Sequence, residues 1–156
     1  DHGQAKKYYH EFEGYNGRLD AIQTGILRVK LRHLTDWNES RREKAQKYNE
    51  VLSNTDTLIT PHEPSWAKAV YHLYIVRVKQ RDDLQKYLFE NGISTGLHYP
   101  VPLHLQKAYT YLGYAEGDFP ISEKVASEIL SLPMFPQLTG LQQEYVASKI
   151  KGFFAG

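Results

Sequence analysis

Val70-Tyr-His-Leu-Tyr-Ile-Val-Arg-Val78 is the stretch on which the fold turns. β-branched and aromatic residues dominate it, which is the chemistry of a half-buried pleated strand. Downstream, Arg81 to Glu90 has helical spacing, with Leu84, Tyr87 and Leu88 inward and Asn91-Gly92 as the C-cap. Ile93 to Tyr99 predicts another strand, closed by Pro100 and Pro102. Leu103 to Leu112 predicts a short helix ending at Gly113. Asp118-Phe-Pro120 opens the next helix, because proline is tolerated at the first helical position, and Val125, Ile129 and Leu130 form its apolar face. Thr139-Gly-Leu-Gln142 fits a capping box before a last helix, apolar at Tyr145, Val146, Ile150, Phe153 and Phe154.

Upstream of the strand, Thr57 to Thr60 predicts a short partner strand, and before it the period changes. Leu19, Ile22, Ile26, Val29 and His33 share one helical stripe, widened by Leu27, Leu31 and Leu34. Charges take over from Asn38 to Lys47, and the apolar face narrows to Trp37, Ala45, Tyr48 and Leu52. Residues 19–52 are therefore expected as one long connecting helix, or two with a bend, whose apolar first half wants a partner surface. Residues 1–18 are expected as a loop and 53–156 as a small domain. The order of elements predicts an α/β chain of the α+β kind, a small sheet covered by helices.

Composition sets the bounds. The chain has 156 residues, 41% apolar and 24% charged, which is ordinary for one globular domain. Nineteen basic residues against 18 acidic leave a formal charge of +1, so no global field draws it to nucleic acid or membrane. The absence of cysteine removes disulfides, thiolate catalysis and cysteine-ligated zinc, and suits a cytoplasmic chain. The chain begins Asp1-His2-Gly3, which reads as a fragment or a processed chain. The 12 tyrosines are the one skew, suited to core edges, interfaces or ligand pockets.

No paired-histidine zinc spacing, Gly-x-Ser-x-Gly elbow or P-loop occurs, so no metal is expected. Two segments concentrate chemistry. In Gly96-Leu-His-Tyr-Pro-Val-Pro-Leu-His104 the prolines press the backbone into extended geometry, so His98 and Tyr99 are held cheaply at a strand end, apt for a polar ligand. A turn with a satisfied histidine and a packed tyrosine is the other reading. In Gly14-Tyr-Asn-Gly-Arg18 an amide donor and a forked cation precede a helix N-terminus, a setting for an anion such as phosphate, or simply a helix-entry turn. Lys6-Lys7 and Arg41-Arg42 read as solvated charge.

Three stretches also resemble, in order, the nucleotide-sugar aminotransferases of the DegT/DnrJ/StrS family. They are Gly14 to Leu34 (GYNGRLDAIQTGILRVKLRHL), Gly92 to Gln106 (GISTGLHYPVPLHLQ) and Ile129 to Pro136 (ILSLPMFP). The resemblance runs from residue 1 to about 150. It implies the aspartate-aminotransferase fold, with this chain as its C-terminal part, and pyridoxal 5'-phosphate (PLP) as cofactor of the complete enzyme. A subgroup acting on dTDP-keto-deoxysugars is the nearest likeness. The Schiff-base lysine of the family sits in a serine-containing segment followed by a glycine pair, and no lysine here has that setting. No catalytic residue is therefore assigned to this chain, which alone is expected to be inactive.

Residue by residue, the resemblance places Asn16 on the cofactor phosphate across a dimer, with Arg18 near it. His98 and Tyr99 face the sugar nucleotide, and His104 is a further candidate beside them. Tyr8 and Tyr9 lead toward Asn16 without an assigned role. The partners implied are a homodimer mate or other chain over the Leu19–Leu34 stripe, a nucleotide sugar and an amino-acid donor. The alternative is a non-catalytic module of the same fold that binds a sugar nucleotide or a partner.

Overall fold

The computed structural model describes residues 4–6, 9–15, 17 and 19–155, in two units, Asp1–Asp36 and Trp37–Gly156. In the first unit Gln4–Lys6 (β1) pairs antiparallel with Tyr9–His10 (β2), where a loop was expected. A ladder this short rests on main-chain pairing and carries no hydrophobic alternation to announce it. Helix α1 (Ala21–Leu31) follows, with Asp20 at its N-cap and none of its residues buried.

The helix does not run unbroken. Arg32 N–H bonds Val29 O and His33 N–H bonds Lys30 O, the tighter three-residue pattern that closes a last turn. The chain then re-enters α2 (Leu34–Leu52). Of the two forms the sequence allowed, the interrupted one is found.

The second unit is built on a three-stranded antiparallel sheet in the order β3 (Leu58–Ile59), β4 (Tyr74–Val78), β5 (Ile129–Leu132). Two corrections to the expected strands matter for the site. β4 starts four residues late because Tyr71 takes φ 49°, the left-handed region that ends strand geometry. More consequentially, Ile129 and Leu130 belong to the third strand and not to a helix: α4 (Pro120–Glu128) stops before them. A four-residue apolar run has no period to separate helix from strand, and Pro133 behind it limits continuation. Residues 93–99, expected as that strand, make one main-chain bridge to the sheet, Gly96–Ser131, and no ladder.

Two helices complete the unit, α3 (Arg81–Glu90) and α5 (Gly140–Ala155). α3 ends as read. Gly92 takes φ 75°, its N–H bonds Phe89 O, and Ile93 N–H reaches back to Leu88 O, the double bond of a Schellman turn. α5 opens with the expected reciprocal box: Thr139 N–H to Gln142 Oε1 at 2.9 Å and Gln142 N–H to Thr139 Oγ1 at 3.2 Å. The expected helix at 103–112 is instead two 3₁₀ pieces, Leu103–Leu105 and Lys107–Leu112, split where Gln106 adopts extended backbone.

The core lies on one face of the sheet. Tyr74, Val76 and Val78 alternate inward from β4 and meet Leu130 and Leu132, Ala45, Tyr48 and Leu52 of α2, Leu84 and Leu88 of α3, and Val146 and Ile150 of α5. Tyr48 and Tyr74 are fully buried with ring centroids 4.9 Å apart, and each hydroxyl is satisfied, on Pro133 O and Asn49 Oδ1. β5 is buried on both faces, so Ser131 points away from this core, toward the 96–104 segment.

Candidate functional site

The site starts at the bridge. Gly96 N–H donates to Ser131 O at 3.1 Å and Ser131 N–H to Gly96 O at 2.8 Å, one rung that anchors the segment before it leaves the sheet. The His98 ring then folds back over Gly96, where an added Cβ would lie 2.6 Å from the ring Cε1. Glycine stands here for space. His98 Nδ1 and Ser131 Oγ share a hydrogen bond at 2.9 Å, which orients the imidazole and leaves Nε2 as its remaining polar atom. Tyr99 sits edge-on to that ring at 5.7 Å and is 75% exposed.

His104 is held differently. The Leu103–Leu105 turn carries it inward until its side chain is only 8% exposed, against the Phe119 ring at 4.7 Å. Its Nε2 lies 2.9 Å from Glu123 Oε1. The same carboxylate accepts the Gly117 N–H at 2.9 Å and the Phe119 N–H at 3.2 Å. Burial alone would raise the Glu123 pKa; the bonds from Gly117, His104 and Phe119 outweigh it and hold the carboxyl below its ordinary value.

Between these groups opens a cleft of about 770 Å³, walled by His98, Tyr99, His104, Phe119 and Ser122 and floored in part by Ile129. That is a volume fit for a small organic ligand, mostly apolar with a few directed polar atoms. Three sequence-chosen residues, His98, Tyr99 and His104, thus come together. Ser131, Glu123 and Gly96, which hold two of them in place, were not picked out. Glu123 follows Pro120 at a helix start, a position where a carboxylate reaching back to the N-cap N–H is readable; its bond to His104, 19 residues away, is not.

The cofactor candidates fare otherwise. Asn16 and Arg18 lie outside the described residues, as does Tyr8. The helix end beside them is described, and its N–H groups are engaged: Ile22 N–H and Gln23 N–H both donate to Asp20 Oδ1, at 2.9 and 3.1 Å. A carboxylate already caps that turn. Among the described residues no lysine lines the cleft, and no group of His, Asp or Glu is arranged for a metal. The described residues therefore do not by themselves fit a resident PLP.

One charge reading needs correction. Arg42 is only partly solvated: its guanidinium bonds Glu63 Oε1 at 2.8 Å and Ala69 O, while Tyr71 O–H donates to Glu63 Oε2 at 2.8 Å. Arg42, the Ala69 N–H and the Tyr71 hydroxyl together hold the Glu63 carboxyl down at about 2. The network pins the loop before β4, where Tyr71 sits in its left-handed conformation.

Comparison with known proteins gives a consistent result. The family model described as the DegT/DnrJ/EryC1/StrS aminotransferase family matches residues 1–151. The pleiotropic regulatory protein of Geobacillus stearothermophilus is 48% identical over 155 residues, 98% of this chain and 42% of that protein. The dTDP-3-amino-3,6-dideoxy-alpha-D-galactopyranose transaminase of Aneurinibacillus thermoaerophilus is 40% identical over 153 residues, 98% of this chain and 41% of that one. Among solved structures, S. venezuelae DesV in complex with a ketimine intermediate superposes with a TM-score of 0.91 at 37% identity, covering 98% of this chain and 41% of its own. The chain spans about two-fifths of the length of these relatives.

Proposed function

Because the chain belongs to the DegT/DnrJ/EryC1/StrS aminotransferase family, a family of PLP-dependent sugar transaminases, we propose that it is the sugar-nucleotide-holding part of such an enzyme. The observation that carries this reading is the cleft with His98 already oriented. A ring fixed by Ser131 presents Nε2 without further ordering, and Tyr99 offers an exposed hydroxyl beside it. Preorganised polar atoms of this kind suit the phosphate and hydroxyl groups of a nucleotide-linked keto-sugar. The apolar floor would accept the faces of the sugar or base.

Amino transfer needs an amine carrier, which PLP provides in the family together with an amino-acid donor. No step through it is assigned to the residues described. We place Asn16 and Arg18 toward the cofactor phosphate on the resemblance of their motif alone. We place the Schiff-base lysine outside this chain on the resemblance alone, because no lysine here has the family's setting. A homodimer mate or other chain is proposed to cover the Leu19–Leu34 stripe. An 11-residue helix with no buried side chain falls below the ~12–15 residues at which helices stand alone in water, so α1 calls for a covering surface.

The test is calorimetric titration of the chain with a dTDP-linked and a UDP-linked sugar. Saturable binding is expected, weakened about tenfold by His98→Ala, the equivalent of ~1.4 kcal/mol. Binding that is indifferent to His98 and Tyr99 would remove the site.

A further inference from the structure

Glu123 does not line the cleft, yet two of the residues that do hang from it, His104 by its ring and Phe119 by its backbone N–H. Its carboxylate is a three-point tie. It accepts the Gly117 and Phe119 N–H groups, which belong to the turn leading into α4, and it meets His104 Nε2 from the proline-bounded segment on the other side. Phe119 in turn packs on His104 at 4.7 Å and on Tyr114 at 5.0 Å. The two walls therefore share one anchor that a ligand in the cleft would not touch.

We propose that Glu123 is the positioning residue of this cleft, setting ligand affinity through His104 and Phe119 by holding the 98–106 segment and the 117–119 turn at a fixed separation. The inference rests on the proposed sugar-nucleotide site and deepens it. Two features make the carboxylate suited to the task. It offers two oxygens with several acceptor positions, so one group can take three donors at once, one of them on the His104 side chain, which is only 8% exposed. Its bonds are charge-assisted, which makes them stronger than those a neutral amide would accept in its place. His104, for its part, is committed by that bond: with Nε2 on Glu123 and its face on Phe119, it serves as wall, leaving His98 and Tyr99 to address the ligand.

The experiment is a double-mutant cycle in the chain, with dTDP-glucose as probe, affinity read by calorimetry and fold by urea unfolding. Glu123→Ala is expected to weaken the probe tenfold or more. Glu123→Gln, which keeps one acceptor oxygen, is expected to weaken it three- to fivefold, and His104→Gln by a similar factor. The double variant Glu123→Gln/His104→Gln should bind within twofold of the weaker single variant, because the two act as one unit. Purely structural damage would instead lower the unfolding midpoint and leave the affinity of the folded fraction unchanged. That result, or additive losses, would overturn the proposal. If the parent chain takes no dTDP-glucose, the ligand reading itself fails, and amide exchange decides the tie: exchange at Gly117, Phe119 and residues 98–106 accelerated tenfold in Glu123→Ala supports it, and unchanged exchange refutes it.

Discussion

Single side chains here do their work by fixing neighbours. Gly96 is needed because His98 occupies the space a Cβ would take, and Ser131 is buried in order to hold that ring. Glu63 is the corresponding residue of the loop before β4, and it makes a pH prediction. Its folded-state pKa of about 2 lies below the ordinary 4.5, so its contribution is present above the unfolded value and lost as pH falls toward 2. The groups that face it are Arg42 and Tyr71, with Glu39 beside Arg42. Urea midpoints measured from pH 5 down to 2 should fall, and Glu63→Gln should flatten part of that fall while lowering the midpoint at pH 7. An unchanged profile would show that the network adds nothing to folding. Neither the Glu63–Arg42 bond nor the Glu123–His104 bond was readable from spacing, since the tertiary fold brings those partners in: Arg42 lies 21 residues from Glu63 and His104 19 from Glu123.

Elements were legible where their ends are chemical. The Schellman turn at Asn91-Gly92-Ile93, the proline opening α4 and the Thr139–Gln142 box are local devices, and each stands where the sequence placed it. What local pattern could not decide was the third strand. Ile129-Leu-Ser-Leu132 and Ile93 to Tyr99 are both short apolar-rich segments, and only pairing with β4 selects the first. The second is left with one bridge, and that failure to become a strand is what frees His98 and Tyr99 to line the cleft. β5 is therefore central to both core and site. Leu130→Ala, at a fully buried position, should cost about 2–5 kcal/mol, read as a shift in the denaturant midpoint. A loss under 1 kcal/mol would mean that β5 is not the core strand described.

At the scale of the whole molecule the two units differ in kind. The Trp37–Gly156 unit has a closed apolar core, whereas α1 in the Asp1–Asp36 unit buries nothing and exposes Ile22, 77% accessible, along with Leu19, Ile26 and Val29. At roughly 25 cal/mol per Å² such a stripe is worth several kcal/mol once covered. Light scattering at micromolar concentration should show association, reduced in Ile22→Glu/Ile26→Glu with the unfolding midpoint little changed; a monomer in both would contradict a covering partner. The family and the small-sheet architecture were legible because three long motifs lie in order, while for the Leu19–Leu34 stripe only the need for a cover was legible. The most direct measurement is a turnover assay. The purified 156-residue chain is mixed with PLP, glutamate and a dTDP-linked keto-sugar, followed by the visible absorbance after gel filtration and by the amino-sugar product. No retained band and no product are expected, alongside saturable binding of the sugar nucleotide. A stable absorbance band with product formed by this chain alone would contradict the account.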